Sequence, residues 1–551
     1  MTKVIRSDVK KSLGLPVNGP VFWTSTAFIV VIISLTLIYS ETAGPVFANI
    51  QRIVSSNGGW LMILGVNVFL LFGIYLAFSK FGSIRLGGPK ARPEFSTTSW
   101  FAMLFSAGMG IGLLFWSIAE PVSHYYAPPL GEPGTRQAAS MAMNVTFLHW
   151  GLHAWGIYAL VGLALAYFTY SRNLPLTIRS IFYPFLGDRI YGPLGDGIDV
   201  LAVLATLFGL ATSLGLGVKQ IASGLSHVFP MIPGSITTQI ILIAVITAIA
   251  TISVVLGIDK GVRFLSVWNI RVAMVVLLLV FILGPTVFIL GAFVQNTGNY
   301  INSFLQWAFW NEAYSNRQWQ MDWTVFYWGW WIAWSPFVGM FIARVSKGRT
   351  VREFITGVLL VPTLLTFFWI TTFGSTALRD LMAGDEIIAT AVAADVSTAL
   401  FVFFERFPFP LVLSVIGIVL IAGFFITSSD SGSLVIDSIT SGGKLESAVG
   451  LRIFWAVTEG VVAAVLLLGG GLQALQTASI VTGLPFTLLL LVMCYSLYKG
   501  LKEEHDETEL AGQRATRKDY QKLVSEMLAK RKSEEQAPAR KPDEPTKPKN
   551  P

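Results

Sequence analysis

From about residue 20 to residue 498 the chain alternates long apolar runs with short polar stretches. A bilayer span needs about 20 predominantly apolar residues. About twelve such runs centre near Val30, Phe69, Met109, Tyr158, Phe208, Val245, Leu278, Trp331, Leu364, Gly417, Val461 and Leu489. The pattern predicts an all-α integral membrane protein of about twelve transmembrane helices. The first run is long for the core of a cleaved signal peptide and reads as a retained span.

Two runs carry residues that interrupt helices. SAGMGIGLLFWSIAEP (Ser106 to Pro121) sets Gly108, Gly110 and Gly112 at alternate positions, and FYWGWWIAWSPFVG (Phe326 to Gly339) crowds Trp328, Trp330, Trp331 and Trp334 against Pro336. At membrane depth, backbone freed by glycine or proline is tolerated only where it lines a cavity or is buried in protein. Interrupted segments at corresponding points of two halves point to a transporter binding site, so the third and eighth segments are expected to be broken. They stand five helices apart, which suits two five-helix repeats preceded by two extra helices. The expected divisions are an N-terminal tail (1–19), two peripheral helices (20–97), a first repeat (98–294), an external amphipathic helix (295–321), a second repeat (322–498) and a charged tail (499–551).

Composition and charge sharpen this picture. Of 551 residues, 53% are hydrophobic and only 13% charged, too apolar for a soluble protein of this size. Nineteen Lys and Arg residues fall in the N-terminal tail and alternate loops, against six (Arg52, Arg136, Lys219, Arg317, Arg379, Arg406) on the other side. That bias predicts cytoplasmic termini. It also accounts for most of the net charge of +7, so nucleic acid is not an expected partner. The sole cysteine, Cys494, excludes an intramolecular disulfide. The external stretch, with Tyr300, Phe304, Trp307, Phe309 and Trp310, reads as a helix lying at the interface. In the tail, Asp519 to Lys532 reads as a short amphipathic helix with Tyr520, Leu523, Met527 and Leu528, and Ala537 to Pro551 as disordered. The tail is either a solubilising extension that touches lipid or a regulatory arm.

The fourth run, FLHWGLHAWGIYALVG, gathers Trp150, Trp155 and Tyr158 within about 140° of a helical wheel. A cation over such rings gains roughly 0.5–2 kcal/mol per ring. In the eighth run Trp330, Trp334 and Phe337 form a stripe, with Trp331 turned aside. An interfacial belt is the competing explanation, but Trp150, Trp155, Trp331 and Trp334 lie towards the middle of their runs and belt residues sit at the ends.

GMGIG, HWGLHAWGIY and WWIAWSPFVG together resemble the betaine/choline/carnitine transporter family, over about Pro20 to Tyr498. The resemblance implies a ten-helix inverted-repeat (LeuT-like) core, a homotrimer in the bacterial inner membrane, and movement of trimethylammonium compounds by alternating access. By that resemblance Trp150, Trp155, Tyr158 and Trp331 form the ammonium cage, and Trp330, Trp334 and Phe337 the cytoplasmic exit path. Choline-type members often carry an acid in the glycine motif, where this chain has Gly112. Its absence favours a zwitterion such as glycine betaine, with the carboxylate facing backbone N–H groups of Gly108, Gly110 and Gly112. The same glycines fit close helix packing, since Gly108 and Gly112 make a GxxxG pair, which leaves Gly110 unexplained.

The tenth run, GFFITSSDSGSLVIDS, supplies hydroxyls of the kind a hard cation prefers. The resemblance implies coupling to Na⁺ through Ser106, Met109, Phe424, Thr427 and Ser428; hydrogen bonding between helices is the alternative use of these hydroxyls. Asp430 is expected to pair with a polar or basic partner as a structural or gating residue. A second family sodium site takes two hydroxyls one turn apart; Thr206 matches one, but Leu210 replaces the other. Sodium-independent exchangers of the family use an arginine near Arg271, which snorkelling to the interface equally explains. His149 and His153 are candidates for proton shuttling but are expected to pack and hydrogen-bond, with no further metal ligands in view. No phosphate-binding loop and no nucleophile elbow is present, so no enzyme activity is expected. A channel is disfavoured because channels line a continuous polar path. The function expected is import of a zwitterionic quaternary-ammonium osmolyte with Na⁺. The alternative is a proton-coupled or sodium-independent exchanger of carnitine, choline, ectoine or a sulfonium analogue.

Overall fold

The computed structural model describes residues 10–12, 15–108, 110–256, 261–315, 318–444 and 448–535. Among these, nine helices are long and apolar enough to cross a membrane: Gly19–Ile38, Ser40–Phe78, Arg136–Ser171, Pro193–Val228, Ile236–Val255, Leu265–Leu283, Val351–Met382, Pro410–Thr440 and Val449–Ser533. The remaining expected segments are present in other forms. The third is split between Thr97–Gly108 and Ile111–Tyr126, helices of 12 and 16 residues. The eighth is the 22-residue helix Thr324–Val345, whose tryptophans lower its hydropathy. The eleventh and twelfth share one helix, Val449–Glu535, in which Gly470 and Gly471 leave helical dihedrals.

Burial sorts these helices into a core and a periphery. Of the fourth segment's apolar window 94% is buried, against 28% of the first's and 50% of the second's. Helix Thr324–Val345 packs against Leu152–Ala166 and Pro193–Val228, and Pro410–Thr440 packs against Pro193–Val228. Helix ends are locally encoded: Thr350 and Glu353 make reciprocal hydrogen bonds in a capping box at the start of Val351–Ile370, which satisfies two of the N–H groups a helix leaves unpaired. Outside the helices, Lys10–Ser12 and Leu15–Val17 form a short antiparallel pair.

The external stretch differs from the free interfacial helix expected. Residues 295–302 finish the helix Thr286–Asn302, followed by a short helix Phe304–Ala308. Tyr300 and Trp307 are buried, and Tyr300 meets Phe147 and Phe367 at ring-centroid distances of 6.3 and 5.0 Å. Tyr300 and Trp307 thus pack on protein, while Phe309 is exposed. Contacts divide the chain into two units, Met1–Tyr498 and Lys499–Pro551. The second is helical through Glu535, beyond both ends of the short helix expected, and exposes Tyr520, Leu523, Met527 and Leu528. The stretch expected to be disordered, 537–551, lies outside the described residues.

Candidate functional site: a buried aromatic pocket

The glycine-rich third segment breaks as its sequence suggests. Helix Ile111–Tyr126 starts after Gly110, which is extended (φ −167°, ψ −173°) and offers no side chain to cap the helix. The first N–H groups of a helix have no partner within it, and Gly110, Gly112 and Leu113 all border one cavity. A Cβ on Gly112 would lie 2.6 Å from Cη2 of Trp330 and 3.1 Å from Cη2 of Trp150. Glycine is required there because two indoles close over it. Gly108 ends the preceding helix.

A second break was not anticipated. The fourth segment divides at Gly151 (φ −98°, ψ −140°) into Arg136–Trp150 and Leu152–Ala166. Trp150 therefore ends one helix while Trp155 and Tyr158 sit in the next. Carbonyls at the end of a helix lack acceptor duty within it, and the carbonyl of His149 is taken by the indole N–H of Trp331 at 2.8 Å.

The eighth segment corrects the expectation of a break. Thr324–Val345 is a single helix with Pro336 inside it. Proline removes the hydrogen bond to the carbonyl four residues earlier, here that of Ile332. The hydroxyl of Ser335 donates to that carbonyl at 2.7 Å, so the freed group is satisfied locally and the helix continues.

These segments border one cavity. Of the expected substrate residues, Trp150, Trp155, Tyr158, Trp330, Trp331, Trp334, Gly110 and Gly112 line it, joined by Leu113, Ala154, Ser213 and Thr366. Trp331 is not turned aside: its ring stacks on that of Trp330 with centroids 4.6 Å apart and 14° between planes. Trp150 meets Trp331 edge-on at 5.0 Å, and Trp155 meets Tyr158 at 5.5 Å. Phe337 does not line the cavity and packs on Trp334 at 5.3 Å. Indole N–H groups fix the rings: Trp330 donates to Ser213 Oγ at 3.0 Å and Trp334 to the carbonyl of Gly209 at 2.8 Å.

Glu120, one residue before Pro121, is fully buried behind this wall. Trp150 Nε1 donates to its Oε2 at 2.8 Å, and the Tyr327 hydroxyl donates to the same oxygen. Its Oε1 lies 2.6 Å from His149 Nδ1 and 3.3 Å from His124 Nε2. His149 Nε2 reaches Thr324 Oγ1 at 2.9 Å, and His153 Nε2 reaches Asn67 Oδ1 at 3.1 Å. The histidines thus pack and hydrogen-bond as expected, but His149 does have ligand-type neighbours. Glu120, His124 and His149 bring one donor atom each within 4.8 Å of one another. The 2.6 Å contact is a direct hydrogen bond and leaves no space for an ion between those two atoms.

The described ones among the expected sodium residues lie elsewhere and do not line the pocket. Ser106 is near the end of helix Thr97–Gly108, Phe424, Thr427 and Ser428 are on Pro410–Thr440, and Met109 is outside the described residues. The Thr427 hydroxyl donates to the carbonyl of Gly423 at 3.0 Å, which keeps oxygen lone pairs available to a hard cation. Thr206 hydrogen-bonds back to Ala202 within its own helix at 2.7 Å. Leu210 packs at Gly432, where a Cβ would meet its Cδ1 at 2.3 Å. Asp430 has a polar partner, accepting from Ser253 Oγ at 3.2 Å. Arg271 is exposed and does not line the pocket.

Glycine-broken segments around a buried aromatic pocket, within a multi-span bundle, define a membrane transporter. This chain belongs to the betaine/carnitine/choline transporter family, whose profile matches residues 20–506. It is 48% identical to glycine betaine transporter 1 of Vibrio parahaemolyticus serotype O3:K6 (strain RIMD 2210633), over 91% of this chain and 97% of the relative. A glycine betaine/proline/choline/ectoine transporter of the same organism is 49% identical over 91% and 90% of the two chains. The glycine betaine transporter of Acinetobacter baylyi (strain ATCC 33305 / BD413 / ADP1) is 46% identical over 88% of this chain and 74% of the relative.

Proposed function

We propose that this transporter imports a zwitterionic quaternary-ammonium osmolyte, glycine betaine above all, together with Na⁺ by alternating access. The observation that carries the reading is one cavity bordered both by aromatic faces and by an uncapped helix start. Methylated ammonium is attracted to ring faces. A carboxylate is favoured by free N–H groups at a helix N-terminus. Glycine betaine holds both groups one methylene apart, and Gly112 brings no competing acid. The names of the relatives agree, and one of them extends the range to proline, choline and ectoine. In this reading Trp150, Trp155, Tyr158 and Trp331 receive the ammonium group, with Trp330 and Trp334 closing the pocket.

Na⁺ is the second cargo, with Thr427, Ser428 and the carbonyl of Phe424 among its oxygen ligands. Leu210 offers no ligand where the family's second sodium site has a hydroxyl, so one ion is assigned. Exchange without sodium, with Arg271 in place of the ion, is the alternative reading. The assembly proposed is a homotrimer in the bacterial inner membrane with both termini cytoplasmic. The test is radiolabelled glycine betaine uptake into proteoliposomes under an inward Na⁺ gradient, then with K⁺ replacing Na⁺, and with choline, carnitine and ectoine as competitors. Accumulation that requires Na⁺ is expected; uptake indifferent to Na⁺ contradicts the coupling.

A further inference from the structure

We propose that Glu120 is a positioning and specificity-determining residue. Its buried carboxylate orients the aromatic wall and supplies the negative charge that makes the pocket prefer an onium head group to its uncharged isostere. The proposal rests on the substrate reading above and adds a residue that touches no substrate.

The charge state follows from counting donors. A carboxylate offers about four lone-pair sites and, when ionised, accepts only. Glu120 meets four donors, on Trp150, Tyr327, His149 and His124. Indole nitrogen is a donor only, so the oxygen facing Trp150 accepts, and an ionised Glu120 can accept from all four partners at once. His149 Nε2 lies against Thr324 Oγ1, and its Nδ1 faces Glu120. His124 Nδ1 is buried with no partner, which an unprotonated nitrogen tolerates better than an N–H. The carboxylate is thus held behind the wall by hydrogen bonds, with no lysine or arginine beside it among the described residues.

Two consequences reach the pocket. The first is geometric. Trp150 is bonded directly to Glu120. His149, bonded to the same carboxylate, gives its backbone carbonyl to Trp331. Tyr327, the third anchor, lies one turn before Trp331, with centroids 5.8 Å apart. One carboxylate thus ties the third segment to the two segments that carry the cage. The second consequence is electrostatic. In a site screened from water a fixed charge acts at longer range than in bulk solvent, and Trp150, which donates to Glu120, itself lines the cavity. The charge attracts a trimethylammonium group and does nothing for a tert-butyl group of the same shape.

The test is equilibrium binding to the purified full-length protein of glycine betaine and of 3,3-dimethylbutanoate, its carbon isostere, which keeps the carboxylate but lacks the positive charge. Wild-type protein is expected to prefer glycine betaine. In Glu120→Gln, which keeps the shape and removes the charge, that preference should fall by roughly tenfold. In Tyr327→Phe, which removes one donor and keeps the charge, both affinities should fall together. Glu120→Asp, which retains the charge, should retain the preference, and it carries the test if the glutamine variant does not fold. A preference lost in Glu120→Asp, or left unchanged in Glu120→Gln, overturns the role of the Glu120 charge. Wild-type protein that binds neither compound contradicts the substrate reading instead.

Discussion

The indole N–H of Trp331 donates to the backbone carbonyl of His149 at 2.8 Å, joining the eighth segment to the break in the fourth. The bond fixes a ring that faces the cavity and satisfies a carbonyl that the break at Gly151 leaves without a helical partner. Trp331→Ala removes both the tie and the aromatic face. Glycine betaine affinity is expected to fall by about 0.5–2 kcal/mol, roughly two- to thirtyfold, in a radioligand titration. Trp331→Phe keeps a ring face without the N–H and should lose less. Equal losses in the two variants would show that the tie, not the face, dominates.

Gly112 is the position where added volume has the clearest consequence. A Cβ there would lie 2.6 Å from the Trp330 ring, and that ring is held by Ser213 and stacked on Trp331. Overpacking of this kind costs about 1–3 kcal/mol. Gly112→Ala is expected to raise the KM for glycine betaine by about five- to 150-fold while the protein still reaches the membrane. An unchanged KM would mean that Trp330 moves aside freely.

Ser335 repairs the hydrogen-bond gap that Pro336 creates. Ser335→Ala should lower thermal stability by about 1 kcal/mol, since it leaves the carbonyl of Ile332 buried and unsatisfied. Pro336→Ala returns a backbone N–H to that carbonyl, so Ser335→Ala made on this background should be close to neutral. A double-mutant cycle in thermal-shift measurements reads the coupling directly; additive effects would contradict the repair.

Thr427 tests the ion. Thr427→Ala removes a hydroxyl oxygen and is expected to raise the Na⁺ concentration for half-maximal uptake at least severalfold, whereas Thr427→Ser should stay near wild type. A loss of maximal rate at unchanged Na⁺ dependence would assign the hydroxyl to helix packing.

Much of this protein could be read from its sequence because the strongest signals are local. Apolar runs of span length mark the helices, and alternate glycines around Gly110 mark the break in the third segment. The eighth segment misled because Pro336 looks like a helix breaker until the Ser335 hydroxyl beside it is seen to replace the lost bond. Gly151 was unremarkable as one glycine among several in FLHWGLHAWGIYALVG, yet it ends a helix between Trp150 and Trp155. Helical spacing set Trp331 aside from Trp330, but wheel angles place Cβ atoms, and long indoles can still converge and stack. Glu120 escaped notice because its partners are distant in the chain: Trp150 is 30 residues away and Tyr327 is 207. Ser213 and Thr366 were missed for the same reason, each a lone hydroxyl in an apolar run whose direction only packing decides.

The most direct test of the central claim is a structure of the purified protein at saturating glycine betaine. The trimethylammonium group is expected within about 6 Å of the ring centroids of Trp150, Trp155, Tyr158 and Trp331, with the carboxylate toward the start of helix Ile111–Tyr126. Glycine betaine bound elsewhere, with the aromatic pocket empty, would contradict the account.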